Sequence, residues 1–150
     1  MKAVIQRVSR ASVDVNDETI GKIGRGFLVL LGVANEDTDE DMDYLVKKIT
    51  QMRIFEDEAG KMNLSLKDVG GEILIISQFT LFASTKKGNR PSFTEAGAPD
   101  FSKEMYLKFI AACRECGIHT EEGEFGAHMM VSLINDGPFT IVLDSDEIIK

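Results

Sequence analysis

Apolar and polar positions alternate through residues 3–8 and again through 11–15, a pattern that predicts two strands, with Asn16-Asp17 turning the chain into the next. The run Phe27-Leu28-Val29-Leu30-Leu31-Gly32-Val33 is apolar without alternation, as a strand covered on both faces requires. The period then changes. Met42, Leu45, Val46, Ile49 and Met52 recur at helical spacing. They predict an amphipathic helix over 39–52, with Thr38 as its N-cap and Asp41 as a first-turn carboxylate. Ile54-Phe55 reads as a short strand, Glu56 to Lys61 as a turn, and Met62, Leu64 and Leu66 as one alternating face. Gly70-Gly71 breaks the chain before Ile73-Leu74-Ile75-Ile76, a buried central strand. Pro99-Asp100 opens a second helix that runs to Cys116 and stops at Gly117. Its buried stripe is Phe101, Met105, Phe109, Ala112 and Cys113. Phe125 to Ile134 and Phe139 to Leu143 complete the strands. The sum is a single α+β domain over residues 1–150, a curved, largely antiparallel or barrel-like sheet with two packed helices.

Polar side chains interrupt this pattern most pointedly after Ile76. Ser77, Gln78 and Thr80 arrive within four residues, around Phe79. A buried hydroxyl or amide without a partner costs roughly 1–3 kcal/mol. Either these groups bond to neighbouring backbone at the strand end, or they line a polar pocket there. Continued alternation would send Gln78 and Thr80 to one face, and Ser77 and Phe79 to the other. A second interruption is Asn135-Asp136-Gly137-Pro138, flanked by Val131-Ser132-Leu133-Ile134 and Phe139-Thr140-Ile141-Val142-Leu143; on turn chemistry it reads as a hairpin.

Charge narrows the classes of function. The net charge of −8 argues against a general nucleic-acid binder, whose affinity depends on neutralising phosphates. A protein that holds only an RNA end stays compatible, because the acids concentrate in Glu36 to Asp43, Glu121 to Glu124 and Asp144 to Glu147. Lys86-Lys87-Gly88-Asn89-Arg90-Pro91 is the most basic segment, read as a solvated loop or as a phosphate clamp. No apolar run approaches the roughly 18 residues of a membrane span. Met1 to Arg7 lacks the apolar region of a secretory signal, so a cytoplasmic location is expected.

Little conventional catalytic chemistry is present. Cys113-Arg114-Glu115-Cys116 ends a helix, where a redox pair would begin one, and no second Cys or His pair completes a zinc site. His119 and His128 belong to no metal or nucleophile motif. The glycines Gly21, Gly24 and Gly26 precede a strand, so they make no dinucleotide fingerprint. No metal and no cofactor are expected.

Ser77-Gln78-Phe79-Thr80-Leu81 and Asn135-Asp136-Gly137-Pro138-Phe139-Thr140 together resemble the two signature motifs of D-aminoacyl-tRNA deacylases. The resemblance continues, in the family's order, through Gln6-Arg7-Val8, Arg53-Ile54-Phe55, Gly60 to Leu64, Arg90-Pro91-Ser92-Phe93 and Phe125-Gly126-Ala127. The chain departs from the family's pattern at three places. Phe139 stands in place of a smaller β-branched residue, His128 in place of an acid, and Ala83-Ser84-Thr85 lacks an acid.

The resemblance implies hydrolysis of the ester of D-aminoacyl-tRNA, and of glycyl-tRNA, with the L-form rejected by a cis Gly137-Pro138 peptide. It implies catalytic roles for Ser77, Gln78, Phe79 and Thr80, and substrate contacts from Gly137, Pro138, Asn135, Arg7 and Phe125. With an RNA substrate, the phosphate-clamp reading of the basic segment makes Lys86, Lys87 and Arg90 the expected tRNA contacts. An aminoacyl ester is already activated, so cleavage needs positioning and oxyanion stabilisation more than a strong base. The resemblance supplies the missing activation from the 2′-hydroxyl of the terminal adenosine. It further implies a homodimer in which the Gly137-Pro138 loop acts in trans. Two other readings stand beside it, an amino-acid esterase with Thr80 as nucleophile and a non-catalytic module that binds an RNA end.

Overall fold

The computed structural model describes residues 1–149. In chain order the elements are β1 (Lys2–Val15), β2 (Glu18–Ile23), β3 (Gly26–Gly32), α1 (Asp39–Gln51), β4 (Phe55–Glu56) and β5 (Met62–Leu64). They continue with β6 (Glu72–Ser77), a 3-10 turn (Phe79–Phe82), α2 (Pro99–Glu115), β7 (Thr120–Glu122), β8 (Met130–Asp144) and the short α3 (Ser145–Ile149).

β1 is one continuous strand where alternation predicts two. The break in pattern at Ser9-Arg10 marks a change of neighbour. Lys2 to Val8 pair with β3, whereas Ala11 to Val15 pair with β2. β1 and β2 join through Asn16 and Asp17, whose φ values of 50° and 65° are left-handed, a region Asn and Asp tolerate in tight hairpins. Along its other edge β1 carries β8.

The sheet is mixed. The three pairings of β1 are antiparallel, but β6 runs parallel to β3, and β7 parallel to β6. β2 closes back towards β7, so near that a Cβ on Gly21 would stand 2.9 Å from the Glu122 carbonyl. The result is an almost closed barrel.

β3 and β6 read as unbroken apolar runs because each is covered twice. Phe27, Val29, Leu31, Ile73 and Ile75 meet the layer of α1 and α2, whereas Leu28, Leu74 and Ile76 fill the barrel interior. α1 is capped as its sequence predicts, with an Asp41 carboxylate oxygen accepting from the Thr38 N–H at 2.9 Å and from its hydroxyl at 3.0 Å. The other Asp41 oxygen accepts from the Ser145 hydroxyl at 2.7 Å, tying α3 to α1. α2 ends at Glu115 with Cys116 as its C-cap, and Gly117 follows in the left-handed region at φ +83°.

Two expectations need correction at the C-terminal end. Residues 125–129 are irregular, and strand begins only at Met130. Asn135-Asp136-Gly137-Pro138 is not a hairpin turn, because its flanks pair with β1 and not with each other. Asn135 is paired with Val8 and Thr140 with Gln6, which leaves Asp136 to Phe139 bulging opposite Arg7 alone.

Candidate active site

The site begins where β6 stops. The strand holds to Ser77, paired with Leu31, and the Gln78 N–H still donates to the Leu31 carbonyl at 2.8 Å. The chain then coils into the 3-10 turn, seated tightly on β3. A Cβ on Gly32 would stand 3.0 Å from the Phe82 ring and 3.2 Å from the Gln78 carbonyl. Strand alternation therefore does not extend past Ser77, and Gln78 meets Thr80 by a different route. Gln78 Nε2 donates to Thr80 Oγ1 at 2.6 Å across the turn. The first hydrogen bond of the turn runs from the Leu81 N–H to the Gln78 carbonyl, at 3.3 Å. The N–H groups of Phe79 and Thr80 precede it, as the opening donors of a helical turn do. Phe79 is 56% exposed and sets its ring edge-on to Phe93, with centroids 5.2 Å apart.

Beside this junction lies a cavity of about 550 Å³. Ser77, Gln78 and Phe79 form its polar end, and Phe93, Phe125 and Met129 supply apolar wall. The only ionisable side chain in its lining is His128. Thr80 is not part of the wall. Ser102 also lines the cavity, a polar residue on the buried face of α2, where a Cβ on the facing Gly97 would stand 2.7 Å from its hydroxyl. Ser102, Gly97 and Met129 were not among the residues that sequence reasoning singled out; Ser102 left a signal, a serine beside Phe101 on an otherwise apolar stripe.

Arg7, Asn135, Gly137 and Pro138 gather elsewhere, at the bulge of β8. Arg7 Nε donates to the Asp136 carbonyl at 3.0 Å, and Nη1 to the Ile54 carbonyl at 2.6 Å. Its guanidinium lies 4.6 Å from the centre of the Phe139 ring, which gives the unexpected Phe139 a partner. Asn135 accepts the Phe139 N–H at 2.6 Å and donates to Thr140 Oγ1 at 3.2 Å. Arg7 and Asn135 thus hold the loop's own backbone. The Gly137-Pro138 peptide is cis, and both residues are exposed. A Cβ on Gly137 would fall 2.5 Å from the Phe139 nitrogen, so the bulge itself leaves no room for a larger residue. Neither Arg7 nor any of residues 135–139 lines the cavity.

The basic segment is a third, separate feature. A bridge between Ser84 and Ser92 closes a loop that exposes Lys86, Lys87 and Arg90.

Remaining titratable groups are structural in their contacts. Burial, and secondarily Cys116, pushes the Cys113 thiol up to about 12. His119 reaches Glu121 at 3.2 Å and Glu72 at 3.7 Å, away from the cavity. The carboxylates of Asp37, Asp41 and Asp146 converge within 4.8 Å, as a metal site would need. All three already interact with protein groups. Asp37 accepts from the Met1 amino group and the Ala34 N–H, each at 2.7 Å, and Asp41 from Thr38 and Ser145.

The chain is similar to known proteins in both sequence and fold. The sequence model of the D-Tyr-tRNA(Tyr) deacylase family matches residues 4–144. The D-aminoacyl-tRNA deacylase of Thermosipho africanus is 55% identical over 148 residues, 99% of either chain. That of Lactobacillus acidophilus is 60% identical over 144 residues, covering 96% of this chain and 99% of its own. A solved structure named c-Myc DNA Unwinding Element Binding Protein superposes with a TM-score of 0.90 at 45% identity, over 96% of this chain and 98% of that one. A probable eukaryotic D-amino acid tRNA deacylase shares the fold, with a TM-score of 0.84 at 21% identity over 95% of this chain and 97% of its own.

Proposed function

The chain belongs to the D-Tyr-tRNA(Tyr) deacylase family, and from that premise we propose that it hydrolyses the ester joining a D-amino acid, or glycine, to the 3′ end of tRNA and spares the L-form. It is a hydrolase of ester bonds. The observation that carries the reading is the junction of Ser77, Gln78 and Phe79 opening on a 550 Å³ cavity that is otherwise largely apolar.

The terminal nucleotide enters that cavity, with the ester at the polar end. As the carbonyl is attacked, negative charge develops on its oxygen. The N–H groups of Phe79 and Thr80 receive it, a kind of stabilisation worth roughly 10²–10³ in rate per donor. Thr80 has Gln78 on its hydroxyl and no base to activate it, and an unactivated threonine is a poor nucleophile. Water is therefore the nucleophile, positioned and activated by the 2′-hydroxyl of the terminal adenosine.

Chirality is read by the Gly137-Pro138 loop. Its carbonyls hold the substrate's α-ammonium, and an L side chain then collides with the backbone, whereas a D side chain points away. Glycine has no side chain to collide and escapes the filter. Arg7 and Asn135 fix the loop in place for this task.

The loop lies outside its own chain's cavity, so a second copy completes the site. A two-fold dimer joins Ser77 to Thr80 of one chain with Gly137-Pro138 of the other, twice over. The edge strand β8 suits such a contact, with Met130, Ile134 and Val142 exposed at 63%, 47% and 67%. Lys86, Lys87 and Arg90 hold phosphates of the tRNA. No described helix is long and apolar enough to cross a membrane, and a tRNA substrate puts the protein to work in the cytoplasm.

The deciding experiment gives purified protein matched D-Tyr-tRNA and L-Tyr-tRNA. Release of tyrosine from the first and not the second is expected. Equal rates would contradict the reading.

A further inference from the structure

The cavity wall holds a hydroxyl with no protein partner. The buried face of α2 carries Ser102, Met105, Tyr106, Phe109, Ile110 and Cys113. Its two hydroxyls differ in their surroundings. Tyr106 donates to the Ile75 carbonyl at 2.7 Å, within the core. Ser102 is only 8% exposed, yet its side chain makes no hydrogen bond among the described residues. Its N–H is taken by the Ala98 carbonyl at 2.9 Å, so the hydroxyl alone is available. Sealing a hydroxyl away without a partner is unfavourable, and among the described residues no sealed side-chain polar atom lacks one. The Ser102 hydroxyl therefore opens on space, and the space that Ser102 lines is the 550 Å³ cavity. Gly97 keeps it uncovered, since a Cβ there would stand 2.7 Å from the Ser102 oxygen.

The place of this hydroxyl selects what it meets. Ser77, at the polar end of the cavity, pairs with Leu31. The Gly97 N–H donates at 2.8 Å to the carbonyl of Val33, two residues further along that chain. At about 3.3 Å per extended residue, Gly97 and Ser102 stand roughly 7 Å past the level of Ser77. Val33, Ala96 and Pro99 beside them are apolar, and Phe93 and Phe125 give the cavity aromatic faces. With the ester at the polar end, the ribose comes next and the base extends beyond it. A base has faces that stack on aromatic rings and edges that form hydrogen bonds. A hydroxyl can donate to such an edge or accept from it. The amino acid differs between substrates and the terminal adenosine does not, so a fixed hydroxyl in an apolar wall suits the base.

We propose that Ser102 is a specificity-determining residue whose hydroxyl hydrogen-bonds a polar edge of the terminal adenine. The proposal rests on the deacylase reading of this cavity. Ser102 takes no part in ester cleavage; it sets which base is accepted at the end of the RNA.

The test reads binding first. Deacylated tRNA is prepared with a terminal adenosine or with an analogue lacking one polar group of the base. The analogues are purine riboside, without the exocyclic amine, and the deazaadenosines without N1, N3 or N7. Wild type should bind at least one analogue end roughly three- to tenfold more weakly than the adenosine end, the worth of one hydrogen bond. Ser102→Ala should lose the same factor on adenosine and nothing more on that analogue, because both changes remove one contact. In turnover, KM for D-Tyr-tRNA should rise in Ser102→Ala with kcat unchanged, and KM for D-Ala-tRNA should rise by the same factor. Unchanged affinity of Ser102→Ala for the adenosine end would overturn the proposal. So would losses that add in full for every analogue, which mark a disturbed wall. A loss that depends on the amino acid would also overturn it, by giving the hydroxyl to the side chain. Failure of the deacylase reading shows separately, as a wild type that distinguishes the bases in binding and cleaves no ester.

Discussion

Thr80 carries the sharpest choice at the residue scale. Its hydroxyl is held by the Gln78 amide, which orders it and supplies no base. Thr80→Ala should therefore keep kcat within about tenfold, whereas a tRNA ending in 2′-deoxyadenosine should lose roughly 10²–10⁴, the range of a lost proton-transfer group. Single-turnover rates on the two substrates decide it, and the opposite pattern would make Thr80 the nucleophile. Cys113 gives a pH signature of the core. Burial raises its thiol from 9.0 to about 12, so the unfolded chain releases this proton at lower pH than the native one. The stability it contributes is complete below about pH 9 and is lost as pH rises towards 12, at about 1.4 kcal/mol per pH unit. Urea midpoints at pH 7 and 9 should be close, and that at pH 10 clearly lower. In Cys113→Ala the fall should be shallower, though the whole curve lies lower for the cavity created. An unchanged alkaline slope would remove Cys113 as its source.

The elements differ in how plainly the sequence announces them. β3 and β6 are legible as apolar runs because helices cover one face and the barrel interior the other. α1 is legible from its period and from Thr38 and Asp41, which do form the expected cap. β8 is not legible as one strand. Asn-Asp-Gly-Pro between apolar runs is locally the pattern of a hairpin, and what overrides it is the distant β1, to which both flanks pair. The support given by Arg7 is hidden for the same reason, since it reaches Asp136 across 129 positions of sequence. The polar end of the cavity was readable from Ser77 and Gln78, because polar groups after an apolar strand demand partners. Its apolar wall was not, because Phe93 and Met129 are indistinguishable from core residues until the fold brings them together. Arg7→Lys tests the element directly. It keeps the charge but loses the two-pronged hold on Asp136 and Ile54. A loop misplaced by about 1 Å can lower a rate 10²-fold, so kcat/KM on D-Tyr-tRNA should fall by 10-fold to 10²-fold, and discrimination against L-Tyr-tRNA should weaken. A selective loss of tRNA affinity, with rate and discrimination intact, would instead make Arg7 a phosphate contact.

For the whole molecule, the cavity and the Gly137-Pro138 loop lie on different parts of one barrel, and the shared site proposed above requires a second copy. The proposed contact surface is the exposed apolar residues of β8. The most direct measurement is complementation between two variants each expected to be inactive alone, Gln78→Ala in the junction and Gly137→Ala in the loop. In a mixed dimer, the Gln78→Ala chain lends its intact loop to the intact junction of the Gly137→Ala chain, and one of the two sites is whole. Random reassortment makes about half the dimers mixed, so roughly a quarter of wild-type activity on D-Tyr-tRNA should return. If each loop serves its own chain, every site keeps a lesion. Mixed dimers, verified as formed, that recover no activity would contradict the shared site.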